Sequence, residues 1–176
     1  MNLLIVLIGI SGSGKSLLSE KIKSYFSEVE VICPDELRKE LLGDVNDQSN
    51  GNFIFKTAGE RVFKSTQKNK VTVFDATNTS WSRTKRFVEE NSYKSINIFV
   101  LMTDSLDPEI CKKRVNSDIE KGKDRSRVPS EIIDKQYKGF IDIYKDIDPE
   151  EMVYFYKGDF GKFATFIGEN IEQSTI

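Results

Sequence analysis

The stretch Gly9-Ile10-Ser11-Gly12-Ser13-Gly14-Lys15-Ser16 constrains this chain more than any other. It follows the apolar run Leu3 to Ile8 and leads into Leu17-Leu18-Ser19-Glu20-Lys21-Ile22, so it reads as strand, glycine-rich turn and helix. Every fixed position of G-x-x-x-x-G-K-[ST] is matched. The glycines let the backbone curl until successive N–H groups, together with the positive end of the following helix, face one anion. Gly12, Ser13, Gly14, Lys15, Ser16 and Leu17 are therefore candidate nucleotide contacts. Lys15 would reach the outer phosphates, and Ser16 would offer a hydroxyl to Mg²⁺, a hard ion usually held through substrate phosphates. An ordinary glycine-rich turn is the competing reading, but context and spacing together favour a bound nucleoside triphosphate. The open question is what receives the phosphate.

A chain of 176 residues can bury roughly 70% of its unfolded surface, which suits one domain over residues 1–176. With 38% hydrophobic and 31% charged residues it is expected to be globular, with no membrane partner, since no segment approaches the ~20 apolar residues a bilayer requires. The apolar start is only six residues long and lacks a basic flank, so it reads as a buried strand rather than a leader. Cys33 and Cys111 are isolated and are expected to remain thiols in a reducing cytoplasm. Histidine is absent, which removes Ser-His-Asp catalysis and H-E-x-x-H metal chemistry together. Any general base must be a carboxylate or a lysine. The net charge of -2 argues against a surface that coats nucleic acid broadly, while leaving room for a local basic groove.

Strand and helix patterns alternate along the chain. Helices are expected over Lys15–Tyr25, from Pro34 or Asp35 to Leu42, and over Phe53–Lys68, Ser80–Glu90 and Asp107–Ile119. Two more are expected from Pro129–Glu131 onward and over Asp159–Gln173. The intervening strands are Leu3–Ile8, Val29–Cys33, Val71–Phe74, Ser95–Met102 and Met152–Tyr156. The apolar face of the third helix is read as Phe55, Ala58, Gly59, Val62 and Phe63. That of the sixth is read as Ile133, Tyr137, Phe140, Ile141 and Tyr144. This alternation predicts an α/β three-layer sandwich of the P-loop NTPase type, a five-stranded parallel sheet with helices on both faces.

Ligands of such sheets gather beyond the carboxyl ends of the strands. Asp35 and Arg38 follow the second strand, three residues apart on one helix, so their side chains share a face. The pair suits taking a proton from an attacking hydroxyl and holding a neighbouring phosphate; a capping aspartate beside a surface arginine is the plainer alternative. Asp75 after the third strand would support Mg²⁺, its waters or the loop serine, or would simply cap a strand end. Between Lys112 and Arg127 seven basic residues face three acids, and the tail Lys123-Asp124-Arg125-Ser126-Arg127 lies in a loop around 120–129 between two helices. A mobile basic lid there would lower a guanidinium onto a transferring phosphoryl group, with Arg125 and Arg127 equal candidates.

Taken with Asp75-Ala76-Thr77-Asn78, Arg114-Val115-Asn116 and Arg125-Ser126-Arg127-Val128-Pro129, these motifs resemble the kinase domain of phage-type polynucleotide 5′-hydroxyl kinase over about residues 1–145. The resemblance implies transfer of the γ-phosphate of ATP, with Mg²⁺, to a 5′-hydroxyl end of DNA or RNA. It implies Lys15 and Ser16 on phosphates and metal, Asp35 as general base, and Arg38 with Asp75 and Asn78 on the acceptor side. It also implies Asp75 near the metal and Arg125 as the clamp on the β- and γ-phosphates. The D-x-D-x-T phosphatase motif of the two-activity end-repair enzymes is missing, since Asp146-Ile147-Asp148 is followed by Pro149-Glu150. A nucleoside, sugar, nucleotide-sugar or modified base is the alternative acceptor, and a nucleotide-driven switch the alternative class. Oligomeric state leaves no trace in the sequence.

Overall fold

In the computed structural model, β1 (Leu3–Ile8) lies at the centre of the molecule with all six residues buried. The structure describes residues 2–68, 71–104 and 106–173. After β1 come α1 (Lys15–Tyr25), β2 (Val29–Ile32), α2 (Pro34–Leu42), α3 (Gly51–Thr66) and β3 (Val71–Asp75). Then follow α4 (Trp81–Asn91), β4 (Ile96–Met102), α5 (Pro108–Glu120), α6 (Ser130–Asp146), β5 (Val153–Tyr156) and α7 (Phe160–Gln173). The five strands form one sheet in the order β2-β3-β1-β4-β5, every pair parallel. The expected α/β architecture is therefore present, with strand ends shifted by a residue or so.

The period-2 geometry of a strand sends alternate β1 side chains to opposite faces. Leu4, Val6 and Ile8 join a core built with Ile54, Ala58 and Val62 of α3, Val88 of α4, Cys111 and Val115 of α5, and Phe140 of α6. Leu3, Ile5 and Leu7 join a second core with Leu18 and Ile22 of α1 and Phe163 and Ile167 of α7. A strand apolar on both faces is what a parallel sheet covered by helices requires. Phe163 is fully buried, and Phe160 and Phe166 pack against the same core, so these aromatics serve the core.

Two helix faces differ from expectation. In α3 the buried stripe is Ile54, Ala58, Gly59, Val62, Ser65 and Thr66, whereas Phe55 and Phe63 are exposed. Spacing from Ile54 by four sets the phase. Phe63 lies beside the stripe and meets the Tyr93 ring edge-on at 5.6 Å. In α6, Ile133, Phe140 and Ile143 are buried, while Ile141 and Tyr144 are exposed, Tyr144 stacking on Phe155 of β5. Large aromatics at the flank of a helix satisfy themselves against one another and blur the pattern. No helix among the described residues is long and apolar enough to cross a membrane.

Candidate active site

The glycine-rich turn leaves β1 and curls under α5. Gly12 has φ 85° and Gly14, which precedes α1, has φ 95°; both lie in the left-handed region that a side chain disfavours. A Cβ at Gly12 would stand 2.5 Å from the Cys111 carbonyl oxygen, so only glycine fits there. The Gly9 N–H donates to the Thr77 carbonyl at 2.9 Å, tying the turn to the segment after β3. Lys15 is buried, and its Nζ donates to the carbonyls of Gly9 at 2.9 Å and Ile10 at 3.0 Å. Burial holds this ammonium below its usual pKa, opposed by the carboxylates of Asp75 and Asp35. Ser13 Oγ is buried without a hydrogen-bond partner, while Ser16 and Leu17 are exposed at the mouth.

These features fit a bound triphosphate. The backbone cradle is too tight for side chains, the Lys15 ammonium rests on weak neutral acceptors, and the Ser13 hydroxyl awaits one. Ser16, with an exposed hydroxyl, and Asp75, with a buried carboxylate, are the residues that could hold Mg²⁺. No cluster of three or more metal-ligating acids, cysteines or histidines exists among the described residues.

Asp75 is the last residue of β3, and its Oδ2 lies 3.1 Å from the Ser19 hydroxyl, which also lies 3.2 Å from the Lys15 carbonyl. Its serine partner is thus Ser19, one turn into α1, rather than Ser16. Ser19 escaped the sequence reading; the signal available was a hydroxyl on the same buried side of α1 as Leu18 and Ile22. Asn78 takes φ 51°, and its Nδ2 donates to the Leu7 carbonyl at 2.8 Å, so its side chain anchors this segment to β1. Two further contacts escaped as well. Gln136 of α6 accepts the Ser11 N–H at 2.9 Å, and Arg114 of α5 donates to the Gly12 carbonyl at 3.3 Å.

Across the mouth, α2 starts with Pro34 at its first turn and ends at Gly43, φ 83°. Arg38 Nη1 donates to Asp35 Oδ1 at 2.6 Å. The Arg38 side chain is nearly buried, its Nε without a partner, while Asp35 is half exposed. Desolvation raises the Asp35 pKa, and the cations Arg38 and then Lys15 oppose it. The pair expected from sequence is therefore a real ion pair in electrostatic range of the loop lysine. Cys33, just before α2, has its thiol pushed up to about 12 by burial, so it is an inert neutral neighbour.

Residues 121–129 have no helix or strand and connect α5 to α6. Arg125 Nη1 pairs with Asp118 Oδ2 of α5 at 2.7 Å, and Lys123 pairs with the other oxygen at 2.7 Å. Both hold Asp118 below its usual value, Lys123 more strongly. The Arg125 Nε is buried and has no partner. The segment also touches the region after α2: Asp124 pairs with Lys39, and the Arg127 N–H donates to Asn46 Oδ1 at 2.7 Å. Of the expected site residues, then, Lys15, Asp35, Arg38 and Asp75 converge, whereas Arg125 and Arg127 are held by different neighbours.

A five-stranded parallel sheet in this order, a glycine cradle beyond its central strand and an acid facing the loop lysine define a P-loop protein of the kinase type. A family model for an AAA domain matches residues 4–142, and the chain belongs to that family. Solved structures share the fold. One, "Structure of the Pnkp1/Rnl/Hen1 RNA repair complex", aligns with TM-score 0.74 and 20% identity over 84% of this chain and 46% of that one. This chain thus spans less than half the length of that protein. Deoxyadenosine kinase from M. mycoides aligns with TM-score 0.56 and 14% identity over 97% of this chain and 100% of its own. A gluconokinase from Sinorhizobium meliloti 1021 aligns with TM-score 0.57 and 17% identity over 99% and 98%. The comparison with curated proteins returns no match.

Proposed function

We propose that the protein is an ATP-dependent phosphotransferase of the cytoplasm that moves the γ-phosphate to a 5′-hydroxyl end of DNA or RNA. The observation carrying this reading is the Asp35–Arg38 pair, 2.6 Å apart and coupled to Lys15 across the mouth of the loop. Asp35 takes the proton of the attacking hydroxyl while that oxygen bonds to the γ-phosphorus and the bond to the β,γ-bridging oxygen breaks, releasing ADP. Arg38 holds the phosphate next to the acceptor nucleotide, turning a bimolecular encounter into an aligned one. The N–H groups of Gly12 to Leu17 and the Lys15 ammonium hold the β- and γ-phosphates, trading neutral carbonyl acceptors for charged ones. Ser16 and Asp75 would hold Mg²⁺, which when bound would neutralise charge developing on the phosphate oxygens. Asn78 fixes the segment that carries Asp75 toward the acceptor. Arg125 leaves Asp118 to clamp the transferring group. Incubation with γ-labelled ATP and 5′-hydroxyl oligonucleotides tests this; label at the 5′ end is expected, and none on any DNA or RNA end would sink the polynucleotide acceptor.

A second reading keeps the chemistry and makes the acceptor a small molecule. It draws support from the full-length alignments with the deoxyadenosine kinase and gluconokinase folds. Transfer to nucleosides or sugars alone, in the same assay, would favour it.

A further inference from the structure

We propose that the polar groove between the lid and the loop after α2 is an acceptor-strand site that holds the second phosphodiester beyond the reacting 5′ end, with Arg127 as its anion contact. The proposal rests on the polynucleotide reading above and names where the strand continues.

The groove has a volume of about 440 Å³ and is lined by Asp44, Asn46, Gln48, Ser126 and Arg127. Two contacts fix its place. Asp124 is joined to Lys39, the residue after Arg38, and Arg127 is joined through its N–H to Asn46. The lid thus touches α2 and the loop after it, and α2 is the helix that carries Asp35 and Arg38. Arg127 is three positions after Asp124, a span of at most about 11 Å. Arg127 therefore lies near the C-terminal end of the helix that carries Arg38.

The lining suits a sugar–phosphate backbone. It offers two carboxamides, a hydroxyl and a guanidinium, groups that commonly contact phosphate and sugar oxygens. None of the five is aromatic or aliphatic, so the groove provides neither a base-stacking platform nor an apolar ligand pocket. The one acid, Asp44, has its Oδ1 engaged by the Asn46 N–H at 2.9 Å and the Asn46 amide at 3.2 Å. The two lid arginines also differ. Arg125 is bound back to Asp118, whereas the Arg127 guanidinium has no ion pair among the described residues. Sequence alone made the two interchangeable on the nucleotide; the geometry assigns Arg127 to the acceptor.

The test is a length series of 5′-hydroxyl acceptors, from a nucleoside 3′-monophosphate through a dinucleotide to a tetranucleotide, at saturating ATP. For the wild type, acceptor KM is expected to fall once a second linkage is present. Arg127→Ala should raise the tetranucleotide KM roughly tenfold and collapse its advantage over the monophosphate, the loss of one charged contact. Arg127→Lys should recover part of it, and Gln48→Ala on the opposite wall should weaken the same step. The slope of log KM against log salt should shrink by about 0.7 in Arg127→Ala, one released contact on a single strand. A length advantage that survives Arg127→Ala, or an effect confined to the KM for ATP, overturns the proposal. A wild type that labels no polynucleotide overturns both it and the function on which it rests; an active wild type with an insensitive variant overturns the groove alone.

Discussion

The two sides of the mouth are held by different means. On the nucleotide side the contacts are to backbone: Lys15 on the carbonyls of Gly9 and Ile10, the Gly9 N–H on Thr77, Gly12 pressed beneath Cys111. Along α2 and the lid they run from side chain to side chain: Arg38 to Asp35, Asp124 to Lys39, Arg125 to Asp118. Backbone cradles are rigid and pre-organised, which is what binding a triphosphate in one pose demands. Ion pairs with at least one solvent-exposed member, such as Asp35 with Arg38 and Lys39 with Asp124, are cheaper to break and remake, which is what a lid that admits and releases an acceptor demands. The contrast teaches that donor binding and acceptor handling should fail separately when mutated.

Asp35→Ala is the sharpest test of that separation. Loss of a positioned base is expected to lower kcat by roughly 10²–10⁴. ATP affinity, measured by calorimetry, should survive because, among the described residues, the Asp35 side chain bonds to Arg38 and makes no hydrogen bond or ion pair with the loop. A variant turning over at the wild-type rate would move the base elsewhere. Lys15→Ala should cost somewhat less in transfer, roughly 10²–10³, but should also weaken ATP binding, since the lost donor serves ground state and transition state alike. If both variants lost ATP binding equally, the two sides would be one unit.

The third expected effect is on stability rather than rate. Gly139 in α6 faces the Thr79 backbone, where an added Cβ would stand 2.3 Å from the carbonyl oxygen. Gly139→Ala must push α6 outward, at a cost of about 1–3 kcal/mol in urea unfolding. The same displacement should pull Gln136 from the Ser11 N–H and so raise the KM for ATP modestly. An unchanged midpoint would mean that the helix yields without strain.

The same contrast explains what the sequence disclosed. A cradle made of backbone needs glycines at set spacing, so the loop, its strand and its helix were legible from Gly9 to Ser16. Asp35 and Arg38 were legible because their partnership is local, within one helical turn. Ser19 with Asp75, Asn46 with Arg127 and Gln136 with Ser11 were not, because the partners are 56, 81 and 125 residues apart and each residue is ordinary in its own neighbourhood. The phase of α3 is hidden in the sequence for a related reason. Phe55 and Phe63 look like core residues by type, and only the rest of the fold shows that Ile54 points inward instead.

The smallest expected effect is a displacement along the pH axis. Asp35 can accept a proton only when ionised, so activity on the acid side should rise with pH through its pKa. Desolvation raises that pKa, so the acid limb should lie above the ordinary carboxylate value of about 3.9. Arg38 opposes the shift by favouring the charged form. Arg38→Ala should therefore move the limb of kcat, measured at saturating acceptor, to higher pH, since it removes an opposing cation and leaves the desolvation. Lys15 acts in the same direction from the nucleotide side, so bound triphosphate, by neutralising that ammonium, should raise the Asp35 limb further. A limb that stays in place or moves down in Arg38→Ala would show that the two sides of the mouth are electrostatically independent, and would remove Asp35 as the titrating base.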